Sequence, residues 1–171
     1  RMRDFQNFNE QEFLNLTKGK EGYLFPDTYF LFVNITAQEL VQKMSDNFNE
    51  RTKEVNEEIK NSGKTLNEII TMASIIEKEV AVQEEMQIVS GILWKRIEKG
   101  MPLQVDASLG YITGKTSAQL TLDDLKIKSP YNTYLNKGLP PAPICNPGIK
   151  TIKAALSPQP SPYYFYLTGN D

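Results

Sequence analysis

The sequence predicts an α+β fold with an α-rich body: three consecutive helices, a few short strands and a proline-rich loop bordering a cleft. Three observations predict it. Apolar residues recur at helical spacing from Thr36 to Lys99, two Thr-x-x-Glu capping boxes punctuate that stretch, and aromatic or β-branched runs flank the helical body. Three helices in a row with short connections argue against a βαβ repeat.

The first run, Tyr23 to Val33, is rich in residues that favour extended chain, with Pro26-Asp27 as a break or edge feature. Thr36-Ala-Gln-Glu39 then opens a helix expected to reach about Lys60 and to stop at Asn61-Ser62-Gly63. Thr65-Leu-Asn-Glu68 opens the second helix. A third runs from about Glu84 to Lys99, with Ile88, Val89, Ile92, Leu93 and Ile97 on one side and Gly100 as its stop. Trp94 lies beside that stripe and is expected in the core. After Gly100 the texture changes. Pro102-Leu-Gln-Val-Asp106 leads into short helical stretches near Ala107 to Tyr111 and Ser117 to Leu125. Five of the ten prolines then fall between Pro130 and Pro147, which stiffens a non-repetitive loop of the kind that lines clefts. A short helix near Ile149 to Leu156 and an aromatic strand, Tyr163-Tyr-Phe-Tyr-Leu167, close the segment.

Length and charge bound the function. A chain of 171 residues suits one domain, or one domain with a small appendage. A net charge of −2 leaves no electrostatic footprint for nucleic acid. There is no histidine, and Cys145 is the single cysteine, which excludes an internal disulfide, a Cys/His zinc site and Ser-His or Cys-His catalysis within the segment. Acid–base chemistry must fall to carboxylates, Tyr or Lys. Cys145 reads as a packing residue. No run of about eighteen apolar residues offers a membrane span.

One carboxylate stands out. Advancing roughly 100° per residue from Leu66 places Ile69, Ile70, Ala73, Ile76 and Val80 within an arc of about 120°, and Glu77 about 20° from Leu66. A carboxyl on that face would be costly to ionise and would stay protonated near neutral pH, the state a general acid needs. The same placement fits a buried acid paired with a Lys or Arg from elsewhere, or an edge residue reaching water. Glu79 reads as a solvated acid and is the alternative if the helix phase is slipped.

Six segments in order, Glu21-Gly-Tyr-Leu-Phe-Pro-Asp-Thr-Tyr29, Met72-Ala-Ser-Ile-Ile-Glu-Lys-Glu79, Leu103-Gln-Val-Asp106, Ser129-Pro-Tyr-Asn-Thr-Tyr134, Gly138-Leu-Pro-Pro141 and Asn146-Pro-Gly148, resemble the YceG-like family of endolytic murein transglycosylases. Each is weak alone, but the ordered set is specific. The resemblance implies a peptidoglycan lytic transglycosylase that cleaves the bond between N-acetylmuramic acid and N-acetylglucosamine without water and leaves 1,6-anhydro-muramyl ends. It implies Glu77 as the catalytic acid. Polar side chains of the cleft, Gln104, Asp106, Tyr131, Asn132, Tyr134 and Asn146, are the candidates for substrate contact, and Glu21 with Tyr23 forms a second polar and aromatic cluster. Where the family commonly has Ser-Asp-Pro-Thr, this chain reads Val105-Asp-Ala-Ser108, keeping Asp106.

The resemblance further implies residues 1–20 as the end of a LysM-like subdomain or linker and 21–171 as a catalytic domain truncated at its C-terminus. It implies an anchor in the bacterial cytoplasmic membrane outside this segment, action on the extracytoplasmic side, peptidoglycan strands as substrate and cell-wall synthases as possible neighbours. No metal or organic cofactor is expected. A non-catalytic glycan-binding or scaffold module is the competing reading. A pyridoxal-phosphate lyase, a label some relatives have carried, would need a phosphate cradle that the sequence lacks.

Overall fold

The computed structural model describes residues 8–167. Seven α-helices follow one another among those residues: α1 (Glu10–Thr17), α2 (Ala37–Lys53), α3 (Asn56–Asn61), α4 (Leu66–Glu79), α5 (Gln83–Glu98), α6 (Asp106–Thr113) and α7 (Ile149–Leu156). Short 3-10 turns at Ser117–Gln119 and Asp124–Lys126 lie between α6 and the proline-rich loop. No helix is long and apolar enough to cross a membrane among the described residues.

Both capping boxes form as the sequence requires. The Thr36 and Thr65 hydroxyls accept from the Glu39 and Glu68 amides at 3.2 Å, and each glutamate accepts in return from the threonine amide at 2.8 Å. The helix expected to run to Lys60 is instead two. Val55 leaves the helical region (φ −118°, ψ 13°), and this turn puts Val55 and Ile59 into the core.

The expected α+β class is corrected to an all-helical one. Among the described residues there is no β-strand; the nearest approach is an isolated antiparallel bridge between Pro102 and Lys137. Residues 25–32 have no regular secondary structure and find no ladder partner. The Phe25 amide donates instead to Met44 O of α2 at 3.2 Å, Pro26 has no donor to give, and Phe30 and Phe32 face solvent. Residues 159–167, which include the expected strand 163–167, form a strap along α5 rather than a strand: the Gln159 amide donates to Gln87 O at 2.9 Å, Ser161 O accepts from Lys95 Nζ, and Tyr164 O accepts from the Arg96 guanidinium at 3.2 Å. Aromatic and β-branched composition reports compatibility with extended backbone, and the sheet needs a second edge that the described residues do not supply.

Helix α4 is the axis of the core. Its residues 69–76 are all buried, enclosed by α5, α6 and α7 and by the proline-rich loop. Trp94 of α5 packs in the same core and donates its indole N–H to Ala155 O of α7 at 2.9 Å. The proline-rich loop is sewn to α4 by Ser74, whose hydroxyl accepts from the Ile144 amide at 3.0 Å. Helix α1, which the sequence reading assigned to a preceding subdomain, packs on α2.

Candidate active site

The last turn of α4 is where the core opens. Because 69–76 are buried on every side, the helical phase of Glu77 does not decide its environment, and the expected burial of Glu77 is not what the fold gives: its side chain is exposed. Glu77 Oε2 accepts from the Gly148 amide at 3.0 Å and from the Thr151 hydroxyl at 2.7 Å. Gly148 is the N-cap of α7, so this carboxylate sits on the unsatisfied donors at a helix start and helps dock α7 on α4.

Two residues on, Glu79 turns inward and is half-buried. Its Oε1 accepts from the Ala107 amide in the first turn of α6 at 3.0 Å, and its Oε2 accepts from the Tyr166 hydroxyl of the strap at 3.1 Å. Burial pushes the Glu79 carboxyl above the usual carboxylate range, against the opposing pull of those two bonds, and the nearby Asp106 charge adds to the rise. The environment the sequence reading assigned to Glu77 is thus found at Glu79.

Glu79 opens on a cavity of about 390 Å³ whose walls include Arg96, Gln104, Asp106, Tyr134 and Tyr166. Asp106 begins α6, and its Oδ1 accepts from the Tyr134 hydroxyl at 2.6 Å. Burial, and then that bond and charge, raise the Tyr134 phenol well above its ordinary value; burial and Glu79 do the same to Tyr166. Both phenols therefore stay protonated and act as fixed donors to carboxylates. Arg96 is 3% exposed and makes no ion pair among the described residues. Its guanidinium donates to Pro102 O at 3.0 Å, Tyr164 O at 3.2 Å and Gln104 Oε1 at 2.6 Å. Gln104 itself has φ +52°, a left-handed conformation that costs a non-glycine residue about 1–3 kcal/mol. The Arg96 bond, together with the bond from its own amide to Thr133 O at 3.0 Å, holds that backbone in place.

Gln104, Asp106 and Tyr134 meet here; the other expected site residues do not line this cavity. Tyr131 packs its ring on Tyr111 at 5.0 Å, beside a second cavity of about 490 Å³ that shares Asp106 and is lined by Lys78, Tyr111 and Lys115. Glu21 is exposed, and its charge contributes to raising the Tyr111 phenol, whose shift is mainly due to burial, so Glu21 belongs to this second cavity's side. Asn132 is fully buried and spends its amide on Leu125 O (3.0 Å) and Ile127 O (2.9 Å), a loop anchor. Asn146 Oδ1 accepts from the Gly22 and Leu24 amides at 2.7 and 3.2 Å, tying the Glu21 turn to the proline-rich loop. There Gly22 is at φ +90°, and a Cβ would strike Pro143 at 2.4 Å. Tyr23 points away from both cavities, stacking edge-on against Phe48 and donating to Asn67 Oδ1 at 2.9 Å. Arg96 and Tyr166, which line the cavity, are not among the residues the sequence marks as candidates. An arginine inside an otherwise apolar helical stripe was the available signal for the first; nothing local marks the second, which reaches Glu79 only through the strap. Among the described residues no group of three or more Cys, Asp or Glu could hold a metal ion.

Comparison with known proteins follows the same lines. A sequence model of the YceG-like family matches residues 2–171. A Bacillus subtilis (strain 168) protein named endolytic murein transglycosylase is 35% identical over 158 residues, covering 92% of this chain and 44% of its own length. A protein of the same name from Streptococcus pneumoniae serotype 2 is 32% identical over 152 residues, covering 86% of this chain and 28% of its own. This chain therefore spans less than half the length of these relatives. The crystal structure of a yceG-like protein from Listeria monocytogenes superposes with a TM-score of 0.81 at 29% identity, over 99% of this chain and 60% of that one.

Proposed function

This chain belongs to the YceG-like family, and on that premise we propose that it is the catalytic part of a lytic transglycosylase that cuts peptidoglycan glycan strands between N-acetylmuramic acid and N-acetylglucosamine. The observation that carries the reading is Glu79: a half-buried carboxyl with a raised pKa, oriented by two donors, at the wall of a cavity that also holds a second acid. The names of the relatives support peptidoglycan as the substrate. They likewise support action outside the cytoplasmic membrane; an anchor supplied elsewhere in the protein and cell-wall synthases as neighbours complete the proposal.

In this mechanism neutral Glu79 gives its proton to the glycosidic oxygen as the bond from that oxygen to muramyl C1 breaks. The muramyl C6 hydroxyl oxygen then attacks C1, and its proton returns to the Glu79 carboxylate as the 1,6-anhydro ring closes. No water is consumed, so a second carboxylate is not needed to activate one. Asp106, held by Tyr134, is the negative charge that this mechanism assigns to stabilising the oxocarbenium-like centre. Glu77 holds α7 against α4 and is outside the proton path.

Mass spectrometry of peptidoglycan digested by wild-type protein, Glu79→Gln and Glu77→Gln tests this. Anhydro-muramyl ends from wild type and Glu77→Gln, with none from a folded Glu79→Gln, are expected. Ends from Glu79→Gln, with a silent but folded Glu77→Gln, would return the proton to Glu77. Reducing ends would mean a hydrolase using Asp106, and binding without cleavage by any form would mean a glycan-binding module.

A further inference from the structure

The orientation of the Gln104 amide is fixed by its neighbour. An arginine guanidinium carries only donors, so the atom of Gln104 that faces Arg96 Nη2 at 2.6 Å must be the carbonyl oxygen. The other end of the same amide, Nε2, then carries two N–H groups and makes no hydrogen bond to any described residue. Gln104 is exposed and lines the cavity that holds Glu79 and Asp106. Around it the cavity's other side-chain donors are spoken for: Tyr134 donates to Asp106, Tyr166 to Glu79, and Arg96 to three acceptors. What this wall offers a ligand is therefore a neutral, pre-aimed N–H donor. Its backbone is held in a left-handed conformation and its side chain is locked by a buried cation.

We propose that Gln104 Nε2 is the donor that recognises the carbonyl oxygen of a substrate acetamido group in the Glu79 cavity, with Arg96 as the positioning residue that holds the amide in register. This rests on the reading of the cavity as a glycan site and adds its specificity: 2-acetamido sugars over sugars with a plain hydroxyl at that carbon. A carboxylate could not do this work, since it would present acceptors to an acceptor. Lysine in place of Arg96 would keep the charge but not the planar fork that fixes the amide.

The test measures binding of a β-1,4-linked N-acetylglucosamine tetramer and a β-1,4-linked glucose tetramer, both uncharged, by calorimetry. The Glu79→Gln background is expected to prefer the acetylated tetramer by about tenfold, the size of one well-made neutral hydrogen bond. Adding Gln104→Glu, which keeps the pairing with Arg96 and so keeps the loop folded, removes the donor and should shrink the preference below twofold. Gln104→Met should do the same without adding charge, and Arg96→Lys should lower the preference with little effect on the glucose tetramer. Equal binding of the two tetramers by the background, binding of neither, or a preference unchanged in both Gln104 variants overturns the proposal. Cleavage of peptidoglycan with an unchanged preference strikes this inference alone. A preference that behaves as described, in a protein that leaves no anhydro ends, strikes the catalytic reading alone.

Discussion

Gly91→Ala is the change that most directly asks whether the strap builds the active site. Gly91 lies on α5 beneath the strap, and a Cβ there would sit 1.9 Å from Gln159 O and 2.8 Å from Gln159 C. Ordinary carbon contacts begin near 3.5 Å, so the strap would have to retreat by roughly 1.5 Å. That retreat breaks the bond from the Gln159 amide to Gln87 O (2.9 Å) and loosens those from Arg96 to Tyr164 O and from Tyr166 to Glu79. At about 1 kcal/mol for each of two to three lost bonds, offset by about 1 kcal/mol from replacing a helical glycine with alanine, the net loss is about 1–2 kcal/mol. For a chain of this size that lowers Tm by about 2–6 °C. The functional consequence is separate and larger in meaning. With Tyr166 withdrawn, water reaches Glu79, its carboxyl falls back toward the ordinary range, and the alkaline limb of the pH–rate profile moves to lower pH. Thermal unfolding followed by circular dichroism, together with rates of anhydro-end formation across pH, measures both. A variant more stable than wild type, as helix propensity alone dictates, with an unmoved alkaline limb would refute the seating of the strap on α5 and its part in tuning Glu79.

Three further outcomes follow from the same geometry. Because folding raises the Glu79 pKa, the stability linked to its protonated form is whole below the unfolded value of about 4.3 and is lost as pH rises through the folded value. Glu79→Gln should therefore gain in Tm relative to wild type as pH climbs from about 4, and a flat or shrinking difference would contradict the burial of that carboxyl. Tyr134→Phe removes the 2.6 Å bond to Asp106, should leave Tm within a few degrees, and should lower the cleavage rate by about tenfold; an unchanged rate would take Asp106 out of the reaction. Cys145, whose thiol is pushed up to about 12, mainly by burial, should react with a disulfide reagent at pH 8 at least about a hundredfold more slowly than a free cysteine, and labelling at the free rate would show that its half-buried setting in the proline-rich loop is wrong.

Much of this molecule is local. Thr36 with Glu39 and Thr65 with Glu68 set the starts of α2 and α4 through bonds that span three residues, and the short helix expected near Ile149 to Leu156 forms as α7. Such features need no information from elsewhere in the chain. The aromatic runs at 23–33 and 163–167 are different. Their composition favours extended backbone, but whether such a run becomes a strand depends on a partner edge, and here Phe25, Ser161 and Tyr164 bond to helices while Leu24 bonds to Asn146 of the proline-rich loop.

The two glutamates of the Glu-Lys-Glu motif mark the same boundary at the site itself. The sequence by itself determined that an acid stands at the end of an apolar helix, that no histidine competes with it, and, through six ordered motifs, which family the chain belongs to. A helical wheel assumes one wet face and one dry one, and α4 has no wet face between 69 and 76. Only the tertiary structure decided which of the two acids is desolvated, because desolvation is set by what covers a carboxyl. Glu77 meets the open start of α7, while Glu79 is covered by α6 from 28 residues away and by Tyr166 from 87 residues away.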